Sequence, residues 1–216
     1  LPRIGFFNRR VQVQGRLDHI DFVREPGAEF DPSSLDYLVL GKVLEAVSGQ
    51  SYSAHMSAWV FGPMGMASVS ADGEAARSEG VVKGHRYLFG WLVATDGHTY
   101  TDVMVPAAHL AASASDMGRF LSVLLSLGRL GETQLLSPSG VEALLPKTTD
   151  PSAGTDPQEL SHGWKSVGGE PIRAWYREGV SPGFHALIAV LPEEDLGVVV
   201  LANRPGGPGP AAASEL

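Results

Sequence analysis

The stretch FHALIAVLPEEDLGVVVLA at residues 184–202 consists of two runs rich in aliphatic and β-branched residues, joined by the polar turn PEED. Such runs are typical of strands, and a turn this short joins antiparallel neighbours. The sequence therefore predicts a hairpin with strands at 184–191 and 196–202 and its turn at 192–195. A third run of this kind at 172–176 extends the prediction to a mostly antiparallel sheet in the last third of the chain.

Helical patterns precede this sheet. Apolar residues spaced by three and four follow Ser33 and Ser34 as far as Gly49, so we expect either serine to cap a helix there. Three more helices are expected: one at 52–61 that stops at Gly62-Pro63, one from Ser113 or Ser115 to Gly128, and one from Ser137-Pro138 that ends before Pro146. Residues 69–101 are expected to form loops and short strands, and a loop is expected after the last helix to about residue 161. The predicted fold class is α+β.

Composition restricts the class of protein. The chain has 216 residues, 16 basic and 24 acidic, for a net charge of −8, which opposes binding to nucleic acid or to an anionic membrane. It has no cysteine, so disulfides, thiolate zinc sites and a cysteine nucleophile are excluded, while the redox compartment stays undecided. No run of about 18 apolar residues predicts a membrane-spanning segment.

Six strings succeed one another in an order found in one family. They are EPGAEF at 25–30, LDYLVLGKVLEAVSG at 35–49, FGPMGM at 61–66, ASASDMGRFL at 112–121, GRLGETQLLSP at 128–138, and PGF at 182–184 with its continuation to 203. Together they resemble class C β-lactamases and the related penicillin-binding-protein-like serine hydrolases. The resemblance covers residues 1–204 and implies an all-helical region beside a mostly antiparallel sheet flanked by helices, with the domain incomplete at its N-terminus. Residues 205–216 form a tail rich in Pro, Gly and Ala.

The resemblance also implies a catalytic machinery. A serine in S-x-x-K attacks the carbonyl, a tyrosine in Y-x-N relays the proton, and a K-x-G or H-x-G strand lines the groove. No serine of this chain has a lysine three residues later, and Ser161 with Lys165 is one residue too long. Leu1-Pro2 resembles the residues that come after the family's H-T-S-G-L-P stretch, so we expect the nucleophile motif to lie upstream of Leu1.

The Y-x-N motif falls on changed residues. Tyr37 resembles the second tyrosine of the family string Y-S-N-x-x-Y, which sets Pro32 at the relay tyrosine, Ser33 at the middle serine and Ser34 at the asparagine. Proline has no ionisable group. Ser33 also has a purely structural interpretation as the N-cap of the helix, and Tyr37 as a packed helix residue.

The groove strand falls on Arg177-Glu178-Gly179, so only the glycine of H-x-G remains. Arg177 keeps a positive charge and is able to hold a carboxylate by two parallel hydrogen bonds. The alternative is that Arg177 and Glu178 form an exposed ion pair or simply a solvated face. By equivalence to the family motifs, the candidate catalytic positions are Ser33, Ser34, Arg177 and Gly179.

Other patterns in the chain bear on possible sites. Residues 179–183 match G-x-S-x-G, but that motif needs a strand-to-helix turn, and Ser181 is expected between two strands, with His185 on the far face of the second. The seven histidines show no metal-ligand spacing, and no phosphate-binding glycine loop is present, so neither a metal nor a cofactor is predicted. The aromatic and basic cluster at 84–90 is either a packed loop or the lining of a groove.

Two functions remain open. One is a β-lactamase-related serine hydrolase domain, acting on an ester or β-lactam-like amide, whose catalytic motifs are degenerate in this chain. The other is a non-catalytic relative that serves as a binding or scaffolding domain. Because two motif positions are replaced, we expect this chain to be inactive alone. If Leu1 is the true start of the chain, we also expect oligomers through an unpaired sheet edge. The resemblance by itself favours a location outside the cytoplasm.

Overall fold

A computed structural model describes residues 33–72, 81–95, 104–145, 160–169, 172–204 and 206. Pro32, the string at 25–30 and all of the predicted tail except Gly206 lie outside the described residues. The described chain is α+β, as predicted, with helices and an antiparallel sheet.

The main sheet has five antiparallel strands in sequential order. The strands are β5 (Leu160–Ser161), β6 (Trp164–Gly169), β7 (Ile172–Ser181), β8 (Phe184–Leu191) and β9 (Leu196–Ala202). The bounds predicted for the last two are confirmed, and a 3₁₀ turn at Pro192–Glu194 joins them. The prediction was wrong to end β7 at residue 176, and it missed β5 and β6. Three of the six residues of β6 (WKSVGG) are Lys or Gly, which are depleted in strands, and its extended form is fixed by pairing with β7.

All the predicted helices are present. They are α1 (Ser34–Ser48), α2 (Tyr52–Met56), α3 (Ala114–Leu125) and α4 (Pro138–Leu144). The helix predicted at 52–61 changes after Met56 into a π-helical turn at Ser57–Phe61. Helix α3 ends three residues before Gly128, because the Gly128 N–H donates to the carbonyl of Val123, 2.7 Å away, and closes the helix end.

Two small hairpins complete the described elements. Strands β1 (Gly84–Leu88) and β2 (Trp91–Thr95) pair antiparallel within the region predicted as loops and short strands. Strands β3 (Arg129–Leu130) and β4 (Thr133–Gln134) follow α3 and were not predicted. With two residues in each strand, the second hairpin gives no recognisable alternation in the sequence.

Helix α3 lies between two hydrophobic cores. Leu121 and Leu124 pack with Trp175 and Val190 of the sheet, while Val123 on another side of the helix packs with the helical region. This is the helix predicted from Ser113 or Ser115 onward, and it buries apolar residues on both sides. The helix therefore holds the sheet and the helical region together.

A buried carboxylate fixes the start of α3. Asp116 is 5% exposed, and its Oδ2 accepts hydrogen bonds from the Ser68 backbone N–H at 2.8 Å and from the Ser68 hydroxyl. The Ser68 hydroxyl is the main cause that lowers the pKa of Asp116, and it outweighs the opposing effect of burial. The charged carboxylate thus ties the loop before residue 70 to the first turn of α3.

Candidate functional site

Ser33 and Ser34 stand at the start of α1. The Ser33 hydroxyl accepts a hydrogen bond from the Leu35 backbone N–H at 3.1 Å, and Asp36 Oδ2 accepts from the Ser33 N–H at 3.0 Å. This is a reciprocal capping box, so the interpretation of Ser33 as an N-cap is confirmed. Ser34 is the first helical residue and is exposed.

Arg177 and Gly179 lie on a part of β7 that has a strand neighbour on one side only. Strand β6 pairs with β7 from Ile172 as far as Tyr176, whereas β8 pairs with β7 to its end at Ser181. Within the described ranges, the second edge of β7 at 177–180 therefore has no strand beside it. Arg177 and Gly179 are both exposed there. An open edge with a glycine lets another extended chain approach the backbone closely.

A contact brings the start of α1 towards this edge. A β-carbon added at Gly163, in the turn between β5 and β6, would lie 2.6 Å from the hydroxyl oxygen of Tyr37 in α1. The pairing of β6 with β7 ends at Lys165 and Tyr176, and Gly163 lies two residues before Lys165 in the chain. Tyr37 is half-buried, so its interpretation as a packed residue agrees with the contact. The first turn of α1 and the open edge of β7 thus meet at the same end of the sheet.

Arg177 and Glu178 do not form the exposed ion pair considered from the sequence. Successive strand residues point to opposite faces, and Oε1 of Glu178 lies 2.5 Å from Nε2 of His185 on β8. A carboxylate only accepts hydrogen bonds, so the histidine Nε2–H donates. His185 is 7% exposed, and the pairing of Ser181 with Phe184 sets it on the face opposite to Ser181, as predicted.

Ser181 is not in the setting that a nucleophile elbow requires. It is the last residue of β7 and is followed by a tight turn into β8, so the context is strand to strand, as predicted. Tyr176, another tyrosine of this region, is poorly suited to act as a proton relay. Burial raises the pKa of the Tyr176 phenol, and the Glu178 carboxylate raises that pKa further, so the phenol stays protonated at neutral pH.

Two features of this region could not be recognised from the sequence. The His185–Glu178 contact was missed because strand pairing and not spacing brings these side chains together. The open edge was missed because β6 was not predicted. Among the residues that the structure describes, no three His, Asp or Glu side chains are grouped to hold a metal ion. In the same part of the chain, no helix is long and apolar enough to span a membrane.

Comparisons with known sequences point to one protein family. A family model described as Beta-lactamase matches residues 5–215. Protein flp of Staphylococcus aureus (strain MRSA252) is 22% identical over 200 residues, which are 91% of this chain and 38% of that protein.

Two solved structures show the same similarity at the level of the fold. The octameric penicillin-binding protein homologue from Pyrococcus abyssi has a TM-score of 0.70 and 22% identity over 86% of this chain and 41% of its own. The class C beta lactamase from Rhodobacter sphaeroides has a TM-score of 0.65 and 23% identity over 83% of this chain and 56% of its own. This chain therefore spans 38% to 56% of these three relatives. Since the family model matches nearly all of its length, the chain belongs to the beta-lactamase family.

Proposed function

We propose that this chain is a degenerate β-lactamase-related domain that binds a small ester or β-lactam-like carboxylate at the open edge of β7 and does not hydrolyse it by itself. The observation that carries the proposal is the edge at 177–180, which has no strand neighbour in the described ranges and presents Arg177 beside the backbone of Gly179. A carbonyl compound with a carboxylate fits both features. Its carbonyl accepts from backbone N–H groups, and its carboxylate meets the guanidinium.

The loss of chemistry rests on the residues around this edge. The Ser33 hydroxyl is engaged in capping α1, and no lysine stands three residues after any serine of the chain. Burial, and then the Glu178 carboxylate, raise the pKa of Tyr176, which disfavours the phenolate that would act as a base. None of these groups supplies the activated nucleophile and proton relay that acyl transfer needs. The alternative is a hydrolase domain that keeps turnover through other groups, and a covalent adduct or a product would distinguish it.

Replacing Arg177 by alanine tests the binding. We expect the affinity for benzylpenicillin, measured by isothermal titration calorimetry, to fall about tenfold or more, because a charge-assisted hydrogen bond contributes about 1.5 to 3 kcal/mol. Arg177→Lys keeps the charge but loses the two-pronged geometry, so we expect an intermediate affinity. Arg129→Ala is the matched control, since Arg129 is an exposed arginine on the separate β3–β4 hairpin.

Hydrolysis is tested on the same protein by intact mass before and after incubation with benzylpenicillin and with a fluorophosphonate probe. We expect binding with no covalent adduct and no product. A stable adduct, mapped to a serine by peptide analysis, would overturn the non-catalytic part of the proposal. Equal affinities of the wild type and Arg177→Ala would overturn the assignment of the binding edge.

We also propose that the chain associates through the outer edge of β9. Of the strands that the structure describes, only β8 pairs with β9, so the backbone along the other side of β9 has no strand neighbour there. The residues of β9 are Gly and apolar residues, and Leu196 and Leu201 are both more than 40% exposed. Such an edge is a template for pairing with another copy. The Pyrococcus abyssi relative is an octamer, which supports association within this family.

A further inference from the structure

The hairpin β1–β2 exposes an unusual set of large apolar side chains. Phe89 at the turn is 94% exposed, Trp91 is 77% exposed and Tyr87 is 57% exposed, and Leu88 and Leu92 are both more than 40% exposed. Soluble proteins rarely expose contiguous apolar surface of this kind, and where they do it commonly marks an interaction site. The hairpin is therefore the strongest candidate for a contact surface outside the β7 edge.

The turn of this hairpin holds a bulky residue in an unfavourable conformation. Phe89 has φ 47° and Gly90 has φ 83°, so both central turn residues are in the left-handed region. Asparagine or aspartate normally takes the first position of such a turn, because a bulky side chain is strained there. The side chain of Phe89 is almost fully exposed, so it adds no burial to stabilise the fold, while its backbone conformation is strained. A residue that costs stability without packing indicates a role in binding.

The base of the hairpin is fixed to the main sheet. The His85 N–H donates to the carbonyl of Gly183 at 3.3 Å, and the His85 Nδ1–H donates to the carbonyl of Asn203 at 2.8 Å. The Asn203 side-chain amide donates to the carbonyl of Lys83 at 3.0 Å. These contacts hold the base while the aromatic tip projects from the molecule.

The arrangement of the apolar residues favours a fluid apolar partner over a flat protein surface. The pairs Leu88–Trp91 and Tyr87–Leu92 are adjacent along the strands and so lie on opposite faces of the hairpin. A protein partner would cover one face, whereas a lipid layer surrounds the tip on all sides. Trp and Tyr are also the residues that concentrate at membrane–water interfaces.

The charge and the length of the β1–β2 hairpin are consistent with shallow insertion into a lipid membrane. Residues 81–95 contain Lys83 and Arg86 and no aspartate or glutamate, although the chain as a whole has a net charge of −8. Attraction to anionic headgroups is therefore local to the hairpin, and Arg86 is exposed below its tip. A strand of five residues is only about 17 Å long. Each strand of a two-stranded hairpin also has one side whose backbone N–H and C=O groups are unpaired, which is costly in hydrocarbon. The hairpin is therefore suited to the headgroup region and not to the centre of the bilayer.

From these observations we propose that the β1–β2 hairpin is an interfacial anchor that inserts Phe89 and Trp91 into the boundary layer of an anionic lipid membrane. The contact of the His85 N–H with the Gly183 carbonyl places the base of this anchor beside the turn between β7 and β8. The proposal concerns peripheral attachment and is independent of whether the β7 edge binds a ligand.

The test is co-sedimentation of the full chain with large unilamellar vesicles of phosphatidylcholine and phosphatidylglycerol in equal amounts. We expect the wild type to bind and the double variant Phe89→Ser, Trp91→Ser to lose about tenfold or more of its partition coefficient, because two aromatic side chains lose their burial. Trp59→Ser is the matched control, since Trp59 is 69% exposed on the π-helical turn, and we expect its partition coefficient to stay near that of the wild type.

A spectroscopic measurement locates the tip. Brominated lipids should quench the tryptophan fluorescence of the wild type, and Trp91→Phe should bind as well as the wild type with most of that quenching lost. Absence of wild-type binding would overturn the proposal. So would equal losses in the tip variant and in Trp59→Ser. Concentration-dependent self-association that the tip variant abolishes, without vesicle binding, would assign the hairpin to a contact between copies and overturn the lipid partner.

Discussion

The carboxylate of Asp116 offers the most direct test of how the helical region is joined to the sheet. It is 5% exposed and accepts hydrogen bonds from both the backbone N–H and the hydroxyl of Ser68. Asp116→Ala removes both acceptor contacts and leaves the Ser68 N–H partly buried without a partner. A hydrogen bond to a charged group contributes about 1.5 to 3 kcal/mol, and alanine returns a few tenths through its higher helix propensity.

We therefore expect Asp116→Ala to lower the free energy of unfolding by about 2 to 4 kcal/mol, and Asp116→Asn, which keeps one acceptor, by about 1 to 2 kcal/mol. Urea unfolding followed by circular dichroism measures both. Glu142→Ala is the matched control, because Glu142 is an exposed acidic residue of α4, and we expect a change within about 0.5 kcal/mol. A cost for Asp116→Ala no larger than that of the control would refute the reasoning.

The pH dependence gives an independent check with a defined sign. The pKa of Asp116 is lowered in the folded state, chiefly by the Ser68 hydroxyl, so its ionised form stabilises the fold above the unfolded pKa of about 3.9. That contribution is lost as the pH falls through the lower, folded pKa. The difference in unfolding free energy between the wild type and Asp116→Asn should be constant near neutral pH and shrink below about pH 4. A difference that stays constant in acid would contradict the assigned cause.

Two further predictions concern the contact of Tyr37 with Gly163 and the outer edge of β9. We expect Gly163→Ala to cost about 2 to 3 kcal/mol, because Gly163 has φ 93° and the new β-carbon would lie 2.6 Å from the Tyr37 hydroxyl. The control is Gly90→Ala, which has a similar φ of 83° and meets nothing within 4 Å, so its cost in urea unfolding should be smaller, and equal costs would argue against the Tyr37 contact. For the edge of Leu196–Ala202, we expect light scattering coupled to gel filtration to show oligomers that Leu201→Lys converts to smaller species, whereas a monodisperse wild-type monomer would contradict the proposed association.

The sequence was a sufficient guide wherever the information is local. Ser33 and Ser137 were identified as helix starts because a capping side chain bonds to backbone groups within three residues of it. Strands β8 and β9 were identified because their apolar runs are interrupted by a turn. Length, charge and the absence of cysteine excluded whole classes of site without any structure.

Local pattern was a poor guide to which surface is covered. The apolar positions of α1 correctly indicated a helix, yet Val43 and Val47 are 52% and 83% exposed, and the buried positions of the helix are Leu38 and Gly41. Helical spacing reports that apolar residues share a face. It does not report which segment packs on that face, since the partner comes from another part of the chain.

The family motifs, the helices and the β8–β9 hairpin are properties of the sequence by itself, because capping, turn chemistry and apolar periodicity act between residues close along the chain. The open edge of β7, the contact of Tyr37 with Gly163 and the bond between Glu178 and His185 were decided only by the tertiary structure. Each depends on the register between strands or on the approach of segments far apart in sequence. A shift of one residue in that register would move Glu178 to the other face of the sheet.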